Sequence, residues 1–396
     1  MSLLKYSRCL TKETSSMAEV QDVFLSSFAD YCDNHRVSSI AKKAAEAIMA
    51  CRTAALGGHL DFCPNCGHER NSYNSCRNRH CPKCQTLKKE QWIGKRCEDI
   101  LDIHHFHAVF TFPAELNQIV KQNPVASYRV LFKAAADTIK ELAGDSHYLG
   151  FIPGFTSILH TWGQNLSFHP HIHMVITGGG MTPEGKWKYA GKDFFLPVKV
   201  ISRVFRGKFL SELIKLYDSR LIAYQGKNGN NISHQAFNNL MSTCYDKEWC
   251  VYCKKPFKGT KGVFSYLGRY THRVAISNNR ILKVRQGKTQ ISWRDYASGN
   301  KTKVMELSNK EFIRRFLFHI LPHGFTRIRH YGLYASKNKT TKLEACRKAI
   351  GSKRKPKEPQ ETSLEMVCRL LGRDVRLCPY CGNPLEQHAL ARASPA

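Results

Sequence analysis

The chain has 396 residues, 61 of them Lys or Arg and 31 Asp or Glu, giving a net charge of +30 spread along its length. Such a length allows two or three domains with real cores, and such a charge repels itself unless a polyanion is near, nucleic acid being the commonest. With no signal-peptide pattern, no run of 18 apolar residues and no lysine-rich amphipathic anchor, the sequence argues against a membrane partner and fits a cytoplasmic protein.

Residues 17–56 read as helix. "AEVQDVFLSSFADYCDN" and "VSSIAKKAAEAIMACRTAALGG" carry apolar groups at helical spacing, and the second stretch ends at Gly57 and Gly58. Cysteine pairs follow. Sixteen cysteines in a reducing compartment point to metal rather than disulfides. "CPNCG" and "CPKCQ" flank fourteen residues, a spacing that suits two knuckles around one tetrahedral ion. The expectation is a structural Zn2+ held by Cys63, Cys66, Cys81 and Cys84, with no position open for water. Cys76, His59, His68 and His80 lie within reach as a replacement ligand or as ligands of a second ion. A basic helix near "QTLKKEQWIGKRCEDIL" comes next, and Arg77, Arg79, Lys83, Lys88 and Lys89 read as a basic rim suited to duplex or hairpin recognition.

From "HHFHAVFTFP" onward strands and helices alternate: a strand at about 105–112, a helix at about 124–143, and strands at about 154–162 and 171–177. The stretch "FHPHIHMVITGGG" has histidines at alternate positions. On a strand, His169, His171 and His173 share one face while Phe168, Ile172, Met174 and Ile176 share the other. Pro170 has no amide hydrogen and sits at the beginning or edge of its strand, which ranks His169 below His171 and His173 as a metal ligand.

A hairpin-like "GGGMTPEGKWKYAG" leads to basic helices between about 198 and 247. "CVYCKKPF" lies in an apolar strand pattern, where Cys250 and Cys253 suit a core. "GVFSYLGRYTHRVAISNNRI" reads as helix through Thr271 and strand from Arg273. Its Tyr266 and Tyr270, four apart, share a helix face among Arg269, His272 and Arg273. The tail after about 336 is lysine-rich, "GSKRKPKEPQET" reads as a linker, and "CPYCGNPL" looks like half of a zinc ribbon, with Cys368 and His388 as candidate completing ligands of Cys378 and Cys381.

One chemistry wants both the histidines and the tyrosines. A phenol, with its pKa of about 10, can attack a DNA phosphate if the added charge is stabilised and the phenolic proton is eased away. A divalent ion on two or three imidazoles, Mg2+ or Mn2+, does this as a Lewis acid with positions left open for phosphate oxygens.

Four blocks also carry a resemblance: "HIH" within "FHPHIHMVITGGG", "YLGRYTHRVAISNNRI", "CRNRHCPKCQ" and "FLFHILPHGFTRIRHYGLYA". Together, over about residues 25–340, they resemble the rolling-circle insertion-sequence transposases of the two-tyrosine type, members of the HUH endonuclease superfamily (histidine, hydrophobic residue, histidine). The resemblance implies an α+β fold with a central antiparallel sheet flanked by helices, preceded by a helical zinc-binding domain. It implies a zinc-binding DNA-recognition domain over 1–100, a tyrosine nuclease domain over 101–335, and a basic linker and tail over 336–396. It carries the metal-binding pair to His171 and His173, with His169, His160 and Gln164 as candidates for a third ligand, and the nucleophiles to Tyr266 and Tyr270. The implied reaction is nicking and rejoining of single DNA strands at element ends through a 5′-phosphotyrosine, on single-stranded DNA and end hairpins, with no small-molecule substrate. Two rival readings are a metal-independent tyrosine recombinase, which leaves His171 and His173 unexplained, and a non-catalytic zinc protein that binds nucleic acid, which makes the paired tyrosines incidental.

Overall fold

A computed structural model describes residues 18–97, 99–226, 228–257, 262–263, 268, 274–296, 298–352 and 361–393. Two amphipathic helices come first, α1 (Val20–Asn34) and α2 (Ser39–Ala50), the second started by the Ser38 hydroxyl, which accepts the amide hydrogen of Ala41. A hairpin of β1 (Gly58–Phe62) and β2 (Glu69–Tyr73) follows, then the basic helix α3 (Gln85–Cys97).

The centre of the molecule is an antiparallel sheet built from β3 (His105–Thr111), β4 (Ile152–Trp162), β5 (Phe168–Met181), β6 (Trp187–Tyr189), β7 (Val251–Phe257) and β11 (Ile328–Gly332). Its order is β11-β4-β5-β3-β7, with β6 pairing the far end of β5. Between the strands run α4 (Asn117–Gln122), α5 (Pro124–Gly144), α6 (Val198–Asp218) and α7 (His234–Asp246). The alternation of β-strands sorts side chains between two faces. Phe106, Ala108, Phe110, Phe155, Leu159, Ile172, Met174 and Ile176 point to the side of α5 and α6, where they join Leu131, Phe132, Phe205 and Phe209 in the largest core. His105, His107, His160, His171 and His173 alternate with them and take the other face.

The three glycines at the end of β5 serve close packing. A methyl group on Gly178 would lie 2.1 Å from the His104 ring, and one on Gly180 2.3 Å from the Ile152 carbonyl oxygen. Residue size at these positions therefore sets how closely the neighbouring chain can approach.

A second sheet, order β10-β9-β8, comprises β8 (Ile281–Arg285), β9 (Lys288–Asp295) and β10 (Lys301–Ser308), and leads into α8 (Asn309–Leu317). The strand expected from Arg273 begins later: residues 274–277 are irregular, a 3-10 turn covers Asn278–Arg280, and β8 starts at Ile281. Val274, Ala275 and Ile276 are nonetheless buried, and an apolar run buried in irregular chain cannot be told from a strand by composition. This module packs on α1 and α2 through Phe24, Phe28, Ile281, Ile291, Phe312 and Phe316. The N-terminal helices thus find their core partners almost three hundred residues downstream.

The tail adds α9 (Lys342–Ala349), α10 (Ser363–Leu371) and β12 (Glu386–Leu390). β12 joins β1 antiparallel, so the expected separate tail is part of the N-terminal sheet. Among the described residues no helix is long and apolar enough to cross a membrane.

The Phe24 ring is fully buried and sits 5.3 Å from Phe316 and 5.6 Å from Phe28, centroid to centroid. Phe24→Ala should therefore cost about 3–5 kcal/mol, read as a lower urea midpoint for the transition of this module. A shift within error would mean that α1 does not anchor it.

Candidate metal centres

Three groups of side chains have the composition and closeness of metal sites, each with ligand atoms all within 4.8 Å of one another: His160, His171 and His173; Cys51, Cys76, Cys81 and Cys84; and Cys63, Cys66, Cys378 and Cys381.

The histidine group is made by strand register. His160 on β4 stands opposite His171 on β5, and Ile158 opposite His173, so the three imidazoles rise from one face of two neighbouring strands. His171 Nδ1 lies 2.7 Å from the His169 carbonyl oxygen. A carbonyl only accepts, so Nδ1 carries the proton and the lone pair of His171 is on Nε2. That Nε2 is 3.0 Å from His173 Nε2. The other nitrogen of His173 is 3.1 Å from His107 Nε2. A cation between the two Nε2 atoms would leave His173 Nδ1–H to donate to His107, the kind of outer contact that fixes a ligating imidazole. Burial, helped by the charge of Lys254, pushes His107 down to about 3, which keeps its ring neutral and able to accept. His160 is buried and stacks on Trp162, whose other neighbour, His319, faces Thr161 and the Leu166 carbonyl.

The candidates for a third ligand separate here. His160 belongs to the group. His169 offers its carbonyl to His171 while its ring lies outside, and Gln164 donates to the Tyr296 hydroxyl. Tyr266 and Tyr270, with Arg269, His272 and Arg273, lie outside the described residues. The described residues closest to them in sequence are Val263, buried against Ile158 and Val175 on the histidine face of the sheet, and Gly268, where a methyl would come within 2.7 Å of Ile93 on α3.

The four thiols expected around one zinc are divided. Cys63 and Cys66 sit at the turn of the β1–β2 hairpin, whereas Cys81 and Cys84 lie beyond its base. Five-residue strands span roughly 16 Å, too far for both knuckles to reach one ion. Cys81 and Cys84 are completed instead by Cys76, a residue already within reach in the sequence, and by Cys51, which sequence reasoning missed. Cys51 Sγ is 3.5 Å and Cys76 Sγ 3.6 Å from Cys84 Sγ, and the Cys76 amide points at Cys51 Sγ from 3.5 Å. A zinc ion with four sulfurs at about 2.3 Å spaces them by roughly 3.8 Å, so the donor set and its spacing fit. Arg52 and Arg77, each following a cysteine of this group, take positive φ values of 58° and 53°, conformations tight enough to turn the chain around the sulfurs.

The basic rim is also redistributed. Arg79 turns inward and donates to the carbonyls of Pro322 and Phe325, and Lys83 pairs with Glu19 at 2.6 Å. Burial pushes Arg79 below the ordinary guanidinium range. Lys88 donates to the Arg77 carbonyl and Lys89 pairs with Glu90. His80, half-buried and pushed down to about 3 by desolvation, accepts from the Leu321 amide rather than facing the sulfurs. In the other cysteine pair, Cys253 packs against the main core while Cys250 is exposed.

Residues 154–342 match a family model described as "Putative transposase", and residues 23–112 match one described as "Transposase zinc-binding domain". The chain is 43% identical over 370 residues to "Putative transposase y4qJ" of Sinorhizobium fredii, an alignment covering 92% of each protein. It is 26% identical over 338 residues to "Transposase for insertion sequence element IS801" of Pseudomonas savastanoi pv. phaseolicola, covering 85% of this chain and 80% of that one. No solved structure matches the chain.

If Cys51, Cys76, Cys81 and Cys84 hold one zinc, Cys51→Ser should lower zinc content by about one ion per chain, although Cys51 belongs to no CxxC pair. Elemental analysis that finds the zinc unchanged would remove Cys51 from the site.

Proposed function

The chain belongs to the transposase family of these relatives, with a zinc-binding domain at its N-terminal side, and from that premise we propose that it nicks and rejoins single DNA strands at element ends through a 5′-phosphotyrosine. The observation that carries this reading is the trio His160, His171 and His173 on one sheet face, with Val263, three residues before Tyr266, packed on the same face. Tyr266 and Tyr270 are the proposed nucleophiles. The phenol gives up its proton as its oxygen forms a bond to the scissile phosphorus, the bond from phosphorus to the 3′ oxygen breaks, and that oxygen leaves as a free 3′ hydroxyl after taking up a proton, so that none is gained or lost overall. The phosphodiester energy stays in the tyrosine link, so attack by a 3′ hydroxyl reverses the step without ATP.

The imidazoles of His171 and His173, with His160 as the third, are the proposed ligands of a divalent ion, Mg2+ or Mn2+. When bound, such an ion supplies Lewis-acid stabilisation of charge on the phosphate. The chain's own contribution is orientation. The His169 carbonyl and the His107 ring hold two of the imidazoles with their Nε2 atoms turned inward. Three neutral nitrogen ligands leave coordination positions for phosphate oxygens, which four thiolates would not. The proposed substrate is single-stranded DNA together with hairpins at the element ends, bound by a chain of net charge +30. In this reading residues 1–100 recognise DNA, 101–335 perform the strand chemistry, and 336–396 are a basic linker and tail.

Incubation of the full chain with labelled single-stranded element ends and Mn2+, followed by denaturing electrophoresis, tests the reaction. A covalent adduct should form. Tyr266→Phe and Tyr270→Phe should each retain some of it and the double variant none; an adduct in the double variant would place the nucleophile elsewhere. Metal binding gives an independent readout. Manganese titrated by electron paramagnetic resonance should lose its site in His171→Ala and keep it in His169→Ala, and the reverse result would overturn the ligand assignment.

A further inference from the structure

The third group of ligand atoms lies apart from the histidine centre and reaches beyond the matched zinc-binding segment, which ends at residue 112. Cys63 and Cys66 come from the β1–β2 turn, whereas Cys378 and Cys381 come from the tail, 312 positions later in the case of Cys66 and Cys378. Their sulfurs interlock: Cys63 Sγ is 3.4 Å from Cys381 Sγ, and Cys66 Sγ is 3.6 Å from Cys378 Sγ. These separations are far beyond the ~2.05 Å of a disulfide and close to the roughly 3.8 Å edge of a zinc tetrathiolate.

The two halves repeat each other in backbone as well as in sequence. In "CPNCGH" the Cys63 amide donates to the His68 carbonyl at 2.9 Å and the Gly67 amide to the Cys63 carbonyl at 2.9 Å. In "CPYCGN" the Cys378 amide donates to the Asn383 carbonyl at 2.8 Å and the Gly382 amide to the Cys378 carbonyl at 3.0 Å. Gly67 and Gly382 both need the left-handed region, at φ +70° and +75°. Each turn therefore aims two sulfurs at one point, and the two turns face each other, with the rings of His68 and Tyr380 in edge contact at 4.6 Å. The strand after the second turn continues the fit. β12 pairs with β1 from Phe62↔Glu386 to Gly58↔Leu390, and the Gln387 side-chain Nε2 donates to the buried Asp61 carboxylate at 2.9 Å.

We propose that Cys63, Cys66, Cys378 and Cys381 bind a zinc ion of their own, so that the chain carries two sulfur-bound zincs and its tail is clasped to the N-terminal hairpin. The donors fit the ion: four thiolates with no oxygen ligand select zinc over magnesium or manganese and close the coordination sphere. The clasp joins segments separated by almost the whole chain. It also steadies α10, which touches α3 through Gln91 with Ser363 and through Glu90 with Arg369. Cys66 and Cys381 are exposed, and as zinc ligands they should resist alkylation that free exposed thiols would undergo.

The test counts thiol-bound zinc in the purified full chain, by release with a mercurial that attacks sulfur ligands and colorimetric detection of the freed metal. The wild type should release two zincs per chain, the Cys378→Ser/Cys381→Ser variant one, and Cys51→Ser/Cys84→Ser one. A single zinc in the wild type, or two in the Cys378→Ser/Cys381→Ser variant, would overturn the proposal. Iodoacetamide labelling of the unmutated chain keeps the test independent of how the variants fold. Cys66 and Cys381 should be protected until a chelator is added and modified afterwards; modification before chelation, or a peptide cross-linked from Cys63 to Cys381 by a disulfide, would equally refute it.

Discussion

The histidine centre depends on one pairing, the antiparallel ladder between β4 and β5. Side chains on a strand alternate, so a slip of a single residue would send His171 and His173 into the apolar side of the sheet and Ile172 to the histidine face. That slip is opposed by the core itself: Ile172, Met174 and Ile176 are fully buried against α5 and α6, and withdrawing them would expose several large side chains at roughly 1.5–3 kcal/mol each. The glycines at the far end of β5 add a steric stop, because His104 and the β4 backbone approach too closely for any side chain there. Hydrophobic burial on one face thus positions polar ligands on the other. The imidazoles need no loop to hold them.

Around that sheet the molecule is assembled from pieces distant in sequence. α1 and α2 pack on β8–β10 and α8, β1 pairs with β12, and Arg79 ties the turn before α3 to the carbonyls of Pro322 and Phe325. The sulfur cluster of Cys51, Cys76, Cys81 and Cys84 stands at the junction, since Cys51 and Cys81 are part of the same core as Phe24 and Phe316. α3 leaves this cluster and runs to the histidine side of the sheet, where Trp92 packs with Ile158, Val175 and Val263, and Ile93 fills the space that a side chain at Gly268 would need. α3 therefore connects a sulfur cluster to Val263 and Gly268, residues on either side of Tyr266 in sequence. The close approach at Gly268 accounts for a glycine there by packing.

What could be read from the sequence follows from how local each signal is. The strand expected at about 171–177 and the helix expected at about 124–143 are written in consecutive residues, and both are found, the strand longer at each end as Phe168–Met181 and the helix as Pro124–Gly144. The antiparallel sheet flanked by helices, and a helical region beside clustered cysteines, agree with the expected class. The grouping of the cysteines was not legible. Spacing between two CxxC pairs says that both can turn around a metal, but the hairpin that drives them apart is a property of β1 and β2, whose sequence "GHLDF" and "ERNSY" carries little strand pattern. Cys51 gave no signal because a lone cysteine at a helix end looks like any small core residue. The likeness between "CPNCGH" and "CPYCGN" was visible in the sequence; that they meet was not, since nothing local encodes a contact across more than three hundred residues. His107 was equally hidden, as its role exists only through the β3–β5 register that brings its ring to His173.

The three ligand groups divide along a chemical line that explains their places in the fold. Four thiolates around zinc carry two excess negative charges and leave no vacancy, so such a site can join segments but cannot hold a phosphate; both sulfur groups lie at joints, one where α2 meets the start of α3 and one where the tail meets the N-terminal hairpin. Three neutral imidazoles keep the full charge of a divalent ion and leave room for anionic oxygen ligands, and that group lies on the sheet face that is not covered by α5 and α6. Exchanging the two donor sets would fail in both directions. Thiolates on the sheet would repel a phosphate backbone, and imidazoles at the joints would leave a partly open cation where only cross-linking is needed. If the proposed ions bind, this separation would give a strongly basic chain closed joints and a cation site with free coordination positions, the charge of each site matched to what it would touch.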